Sequence, residues 1–185
     1  MSTKQKDIIE DIITDHREVE AVFKQLETND NPATRRQLVE HVVAELVRHS
    51  VGEEQYLYPA ARKALPDGDK IVDHELHEHA EAEEIMNKIE KTEKEDAEFD
   101  KLVSELIKDI RHHIEDEEGD LLPKLREACD AEELGKLGEQ FEKAKKIAPT
   151  RPHPSAPDKP PANKILDPGV GLIDRLRDAL SGRNT

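Results

Sequence analysis

Apolar residues recur along this chain at the three- and four-residue spacing of amphipathic helices. Four long stripes of this kind fill the region up to Leu121. The first stripe ends at the turn-forming run Asn29–Pro32, the second and third predict helices over 33–58 and 70–91, and the fourth begins near Phe99. We therefore predict an all-α fold, an antiparallel up-down-up-down four-helix bundle with short extra helices towards its C-terminal end.

A sequence motif near the end of the second helix recurs near the end of the fourth. The segment RHSVGEEQYLYPAAR at Arg48–Arg62 matches RHHIEDEEGDLLPKLR at Arg111–Arg126, and both contain the pattern His-x-x-x-Glu. On a helix this spacing places an imidazole and a carboxylate one turn apart on the same face. The aligned residues are His49 with His113 and Glu53 with Glu117.

The first and third helices contain a second repeat. The sequence DHREVEAVFKQLE, which starts at Asp15, aligns with EHAEAEEIMNKIE, which starts at Glu78, so that His16 matches His79. Because the two repeats follow each other in the same order twice, the chain consists of two similar helical hairpins in tandem.

A proline-rich segment divides the chain into three parts. We predict a bundle over residues 1–148, a semi-rigid extended linker over 149–164 and an amphipathic helix over 165–185. The apolar residues of that last helix include Ile173 and Leu176. A helix of this length is too short to be stable alone. We therefore expect it to dock on the bundle, on a second subunit or on a partner protein.

Charge and composition narrow the classes of function. The 185 residues are 38% charged and only 35% hydrophobic, which predicts a narrow core with wide solvated faces. The formal net charge of −15 argues against nucleic acid or an anionic membrane as a partner. The single cysteine, Cys129, excludes an internal disulfide framework, and neither a signal peptide nor a long apolar run is evident. We therefore expect a cytoplasmic protein.

Each apolar stripe carries one histidine at about the same level, and two stripes carry a glutamate one turn later. These residues are His16, His49, His79, His113, Glu53 and Glu117. A lone histidine on an apolar face is more often a core residue, but four at repeat-related positions are hard to explain in that way. A buried carboxylate without a partner is costly, so such groups are paired or bind a metal. Imidazole with carboxylate favours iron or manganese over magnesium or calcium, and closed zinc sites usually contain thiolates. We predict a site for two metal ions, with these six residues as ligands.

Four further residues are candidates for an outer layer around the metals. Glu20 and Glu83 repeat the His-x-x-x-Glu spacing on the first and third helices, and they are either acceptors that orient an imidazole N–H or surface residues. Tyr56 and its repeat partner Asp120 lie on the same face as the ligands and could reach the metals or hydrogen-bond a bound oxygen species. Tyr56 could equally pack in the core with its hydroxyl at the edge.

Other polar residues are expected to lie outside the site. Glu54 and Glu118 are about 100° around the helix from their ligand neighbours, so we expect them to face solvent or the rim of the bundle. The histidines that fall away from the centres of the stripes are expected to be solvated. They are His41, His74, His77 and His112.

The ordered set of histidines and glutamates resembles the hemerythrin-like proteins with HHE cation-binding domains. The resemblance covers about Asp7–Arg126 and rests on the order His16, His49-x-x-x-Glu53, His79, His113-x-x-x-Glu117. It implies an antiparallel four-helix bundle around two non-heme iron ions joined by an oxo or hydroxo bridge, with both glutamates bridging the irons. The proline-rich tail is similar to that of actinobacterial members of the family.

One departure from the family pattern bears on function. Where the oxygen-carrying hemerythrins place a second histidine one turn after the third-helix histidine, this chain has Glu83. Fewer neutral ligands would stabilise the ferric state, which argues against reversible oxygen carriage. We expect a reaction with hydrogen peroxide, oxygen or nitric oxide, and favour a di-iron oxidoreductase with catalase- or peroxidase-like activity in oxidative stress defence. The alternative is a non-catalytic sensor or binding protein for oxygen, nitric oxide or iron.

Overall fold

A computed structural model of the protein describes residues 6–94, 96–155, 162–181 and 183. The described residues are almost entirely helical, and the predicted all-α bundle is confirmed. The helices are α1 (Ile8–Thr28), α2 (Pro32–Gly52), α3 (Tyr58–Ala64), α4 (Gly68–Lys91), α5 (Ala97–Asp116), α6 (Leu122–Ala128), α7 (Ala131–Ile147) and α8 (Ala162–Ser181). No helix in the described part of the chain combines the length and the apolar character needed to cross a membrane.

The helices pack as two hairpins. Helix α1 packs on α2, and α4 packs on α5, while α7 lies against both helices of the first hairpin. Short polar side chains cap the start of both helices of the first hairpin. Asp7 accepts the N–H groups of Ile9 and Glu10 ahead of α1, and Asn31 accepts that of Thr34 ahead of α2.

A single π-helical turn follows α2 and another follows α5. The turns are Glu53–Leu57 and Glu117–Leu121, and each begins with a glutamate of the repeated motif. Pro59 and Pro123 lie two residues after these turns. Proline has no N–H to donate to the carbonyl four residues earlier, and a π turn accommodates the missing hydrogen bond. The sequence predicts that Pro59 kinks the helix or ends its regular part. In the structure the α-helical hydrogen bonding is interrupted, and the helix then continues as α3.

The apolar core consists of two clusters separated by a polar layer. On α1, Ile12 belongs to one cluster and Val19 to the other, with His16 between them. The same succession occurs on α4, where Leu76 and Ala82 flank His79. The bundle therefore buries its polar residues at one level, with apolar packing on both sides.

The C-terminal part of the chain returns to the bundle through polar contacts. The backbone N–H groups of Thr150 and Arg151 donate to Asp174 on α8, and α8 packs against α7. The predicted linker is described only in part, because residues 156–161 lie outside the described residues. Helix α8 was expected to dock on the bundle, on a second subunit or on a partner protein; it lies against the bundle with Asp174 and Asp178 buried, while Leu176 is 59% exposed. The predicted domain boundaries at 148 and 164 stay a prediction.

Candidate metal centre

Side chains from four helical segments meet in the polar layer. Helix α1 contributes His16, and α4 contributes His79. The other four come from the ends of α2 and α5 and the π turns that follow them: His49, Glu53, His113 and Glu117. Both glutamates are fully buried, and the side chain of His79, which is the most exposed of the six, is only 9% exposed. The structure therefore brings all six predicted ligands to one place.

The six side chains form two halves that share one carboxylate. In the first half, His49 Nε2 lies 2.9 Å from Glu53 Oε1, and His16 Nε2 lies 3.3 Å from Glu117 Oε2. In the second half, His79 Nε2 lies 3.3 Å from Glu53 Oε2. The two oxygens of Glu53 thus face different histidine pairs, which is the arrangement of a bridging ligand.

The second half is completed by His113. Its ring centre lies 4.9 Å from that of His79, and the rings of His16 and His49 are separated by a similar 5.0 Å. Ligand atoms of His16, His49, Glu53 and Glu117 lie within 4.8 Å of one another, as do those of Glu53, His79 and His113.

Most of the inward-facing atoms of this layer have no hydrogen-bond partners. These buried atoms are Nε2 of His16, His49 and His113, and both carboxylate oxygens of Glu53 and Glu117. Buried polar atoms left in this way are costly, and several imidazoles and carboxylates aimed at one space are the donor set of a transition-metal site. The residues present therefore fit metal cations, which would satisfy all of these atoms.

The outward-facing nitrogen of each imidazole meets a carboxylate. His16 Nδ1 lies 2.8 Å from Glu118, His49 Nδ1 2.9 Å from Asp15, His79 Nδ1 3.0 Å from Glu54, and His113 Nδ1 3.0 Å from Glu78. Such contacts fix the tautomer, so that Nε2 presents its lone pair to the metal. The pattern follows the repeat: a carboxylate precedes each histidine on α1 and α4, and a second glutamate follows each ligand glutamate.

Glu54 and Glu118 were expected to face solvent or the rim of the bundle, and the structure excludes open solvent. Both side chains are mostly buried, at 14% and 21% exposure, in the seams between helices. Because Nε2 of each histidine points to the centre of the bundle, Nδ1 points to a seam, and residues one position away from the ligands line these seams. The sequence signal was the doubled glutamate that occurs in both copies of the motif.

The predicted outer residues lie elsewhere. Glu20 accepts two hydrogen bonds from Arg111, Glu83 accepts the backbone N–H of His153, and Asp120 pairs with Lys124. Tyr56 packs beside the apolar cluster that contains Leu57. Glu20 and Asp120 thus pair with basic side chains, while the Nδ1 atom of each ligand histidine contacts a different carboxylate.

Besides Asp15 and Glu78, two further residues at the site were missed from the sequence. The Tyr58 hydroxyl lies 2.9 Å from His79 Nε2, and the buried Glu75 lies 3.0 Å from His113 Nδ1. Regular α-helical spacing from Glu53 points to Tyr56, but a π turn has more residues per turn and moves the inward position to Tyr58. The proline that follows was the available signal for this shift.

The buried carboxylates create a strongly negative environment. Burial alone lowers the pKa of an imidazole, but the neighbouring carboxylates outweigh it and raise the pKa of His49, His79 and His113 to about 10. Burial raises the pKa of Glu53, but its contacts with His49 and His79 prevail and hold it well below its ordinary value. Burial and the nearby Glu53 raise the pKa of Glu117. This environment attracts cations.

A cavity of about 130 Å³ lies beside the four histidines, between the polar layer and the larger apolar cluster. Its apolar walls include Val19, Leu46, Met86 and Ile110. This space gives small molecules room beside the ligand histidines.

The fold and the site define a helical-bundle protein that binds metal cations through histidine and carboxylate. The family model described as "Hemerythrin HHE cation binding domain" matches residues 7–125. The chain belongs to this family.

The chain also resembles individual proteins. Over 181 residues the chain is 32% identical to an uncharacterized hemerythrin-like protein of Schizosaccharomyces pombe, covering 97% of this chain and 89% of that protein. It is 27% identical over 146 residues to a DNA nickase of Nostoc sp., covering 78% of this chain but only 41% of the nickase. The crystal structure of a hemerythrin HHE cation-binding domain protein from Mycobacterium kansasii superposes with a TM-score of 0.66 at 20% identity, covering 76% of this chain and 86% of that one.

Proposed function

We propose that this protein holds two non-heme iron ions and decomposes hydrogen peroxide. The observation that carries the proposal is the pair of ligand sets that share Glu53, in which most of the inward-facing donor atoms have no hydrogen-bond partner. His16 and His49 would hold one iron, and His79 and His113 the other, with Glu117 joining Glu53 between them. Imidazole with carboxylate suits iron, and two irons together supply the two-electron redox chemistry that converts two molecules of peroxide into two of water and one of oxygen.

The oxidation state of the irons is set in part by the ligands that the chain provides. Glu83 occupies the position of the additional histidine in oxygen carriers, and here it accepts the backbone N–H of His153. The centre therefore has four imidazoles and two carboxylates. Carboxylate-rich coordination stabilises the higher charge of ferric iron, which supports turnover of an oxidant rather than reversible oxygen carriage.

Residues around the centre select and orient a small oxidant. The 130 Å³ cavity admits peroxide, oxygen or nitric oxide. Burial, followed by the nearby Glu53 and Glu117, raises the pKa of Tyr58 well above its ordinary value. Its hydroxyl thus stays protonated and can donate a hydrogen bond to a molecule bound beside His79.

The single cysteine also supports a location in the reducing cytoplasm.

Metal analysis together with an oxygen electrode tests the proposal. We expect two irons per chain and evolution of oxygen from added peroxide. His113→Ala should lose iron and at least about 90% of the activity, because it removes one of the two imidazoles that would hold the second iron. His77→Ala, which changes an exposed histidine on α4, should retain both. Iron-loaded protein that evolves no more oxygen than His113→Ala would contradict the proposal.

The C-terminal segment favours a second candidate, a sensor without turnover. A further cavity of about 130 Å³ lies between His79 and Glu54 on one side and Pro149, Arg151 and His153 on the other. A change at the metal centre could thus be transmitted to the tail and from there to a partner protein. A spectral change of the reduced protein on exposure to oxygen, reversed by degassing and without peroxide turnover, would favour this candidate.

A further inference from the structure

Each hairpin has a seam between its two helices. The groups that lie over the outer side of this seam differ between the two hairpins. In the first hairpin, α7 lies over α1 and α2, and its Lys145 binds Asp15, the carboxylate that accepts from His49. The repeat places Glu78 in the corresponding position of the second hairpin, between α4 and α5. Within the described ranges, the charged or chargeable groups in ion-pair distance of Glu78 are histidines, with no lysine or arginine.

Two helical His–carboxylate pairs face each other across this uncovered seam. His74 and Glu78 are one turn apart on α4, and His112 and Asp116 are one turn apart on α5. His74 Nε2 lies 3.5 Å from Glu78 Oε1 and 3.7 Å from Asp116 Oδ2. His112 Nε2 lies 3.9 and 3.7 Å from the same two oxygens. The two carboxylate oxygens are thus flanked by an imidazole on each side.

We propose that His74, Glu78, His112 and Asp116, here called the seam cluster, bind a divalent transition-metal cation. Metal–ligand bonds of about 2.1 Å place the ligands of a tetrahedral ion about 3.4 Å apart. The four His–carboxylate separations in the seam cluster exceed this by up to about half an ångström. The ligand atoms of His74, Glu78 and Asp116 lie within 4.8 Å of one another, and the exposed ring of His112, which lies outside this group, has to turn towards the ion. Two imidazoles with two carboxylates suit Zn²⁺ or Fe²⁺ and disfavour Mg²⁺ and Ca²⁺, which prefer oxygen ligands alone.

The charge of the seam supports a bound cation. Glu78 and Asp116 bring two negative charges together, in a chain whose formal net charge is already −15. In the first hairpin the ammonium group of Lys145 offsets the charge of Asp15. In the second hairpin a cation taken from solution serves the same purpose.

The seam cluster is separate from the buried centre but touches it through one residue. Glu78 Oε2 lies 3.0 Å from His113 Nδ1, while Oε1 faces His74 and His112. A cation at the seam can therefore use Oε1 while the contact with His113 persists. The proposal depends on these four side chains and not on which metal the buried centre holds.

Titration of the full-length chain with Zn²⁺ alone tests the site. Protein prepared with iron is titrated by calorimetry, and its zinc and iron contents are then measured by mass spectrometry. We expect the wild-type chain to bind one more Zn²⁺ than either His74→Ala or His112→Ala at zinc concentrations near the wild-type dissociation constant. The apparent affinity of both variants should fall by at least about tenfold, because each loses one of four ligands.

A matched control lies on the same helix. His77 Nε2 is 3.5 Å from Glu81 Oε1, one turn away, and both side chains are exposed, but the pair belongs to no cluster of three or more metal-binding groups among the described residues. His77→Ala should therefore bind Zn²⁺ as the wild type does. Equal binding by wild type and His74→Ala, an equal loss in His77→Ala, or release of iron in proportion to added zinc would each overturn the proposal. The difference of one ion is measurable even if the buried centre contains no iron, so failure of the proposed function leaves this test intact.

Discussion

The Nδ1 atom of each ligand histidine contacts a carboxylate, and two of these carboxylates also form ion pairs with a basic side chain. Asp15 is bound by Lys145, and Glu118 is bound by Arg17. A carboxylate on Nδ1 fixes the ring and makes Nε2 a stronger ligand. The retention of metal should therefore depend on residues that never touch it.

Asp15→Ala should weaken metal retention by about 10- to 100-fold, because His49 loses the acceptor that orients it. The measurement is the iron content that remains after dialysis against chelators of increasing strength. Glu18→Ala, which changes an exposed glutamate on the same helix, is the control and should behave as the wild type does. Equal loss of iron from both variants would show that the contact of Asp15 with His49 has no part in holding the metal.

A second prediction concerns the buried Asp11. Burial, and after it the charge of Glu142, raises the pKa of Asp11 from 3.8 to about 6. The folded protein thus favours the protonated form of Asp11, so the ionised form lowers the stability of the fold. This loss of stability begins as the pH rises through 3.8 and is complete above 6. Asp11→Asn should add about 1 kcal/mol at pH 7, a rise of about 2–4 °C in Tm, and the gain should vanish below pH 4.

Thermal unfolding followed by circular dichroism at several pH values checks this expectation. Asp30→Asn, in the exposed turn before α2, is the control and should leave the pH profile unchanged. A gain in Tm from Asp11→Asn that is the same at pH 4 and pH 7 would contradict the assignment to the ionised carboxylate.

At the scale of helices, α7 completes the first half of the site. Its Phe141 ring is fully buried and meets the edge of His49 at 5.8 Å between ring centres. The approach requires Gly52, since a Cβ there would lie 2.5 Å from Phe141 Cδ2. The close packing of α7 therefore requires a glycine as the last residue of α2.

Gly52→Ala should destabilise the protein by about 1–3 kcal/mol, because the methyl group forces the Phe141 ring and α7 outwards. Gly119→Ala is the control substitution, in the π turn after α5, where a Cβ meets nothing within 4 Å, and it should be neutral or add up to about 1 kcal/mol through helix propensity. Urea unfolding of both variants gives the comparison. The same sign of change in both would show that the packing of Phe141 on Gly52 does not limit stability.

At the scale of the whole molecule, the sequence was most informative where repetition and helical period coincide. Stripes of apolar residues predicted the four-helix bundle, and the duplicated His-x-x-x-Glu motif indicated which six side chains would meet. The contacts that cross between helices were not predictable in this way. The Nδ1 partners depend on where each ring turns in a seam, and Tyr58 replaces Tyr56 only because the helix has a π turn there.

The C-terminal tail shows the same limit, since amphipathic periodicity identifies a helix but not the side that docks. α8 packs with its carboxylates inward because Thr150, Arg151 and His153 provide partners for Asp174 and Asp178. A helix that binds through polar contacts has few apolar contacts to hold it. Its attachment should therefore depend on individual hydrogen bonds and ion pairs.

Arg183 gives a direct test of that attachment. Its buried guanidinium pairs with Glu90 on α4 and donates to the backbone carbonyls of Glu40 and Thr150, so it joins three parts of the chain. Arg183→Ala leaves Glu90 with one ionic partner fewer, and losing a buried pair of this kind costs about 3–5 kcal/mol. We expect the amide of Thr150 to exchange with deuterium at least about tenfold faster, while amides in the middle of α2 and α5 keep their protection. Arg177→Ala, on the exposed side of α8, should leave every rate unchanged. If Thr150 exchanged no faster in Arg183→Ala than in Arg177→Ala, the tail would be held by contacts other than this arginine.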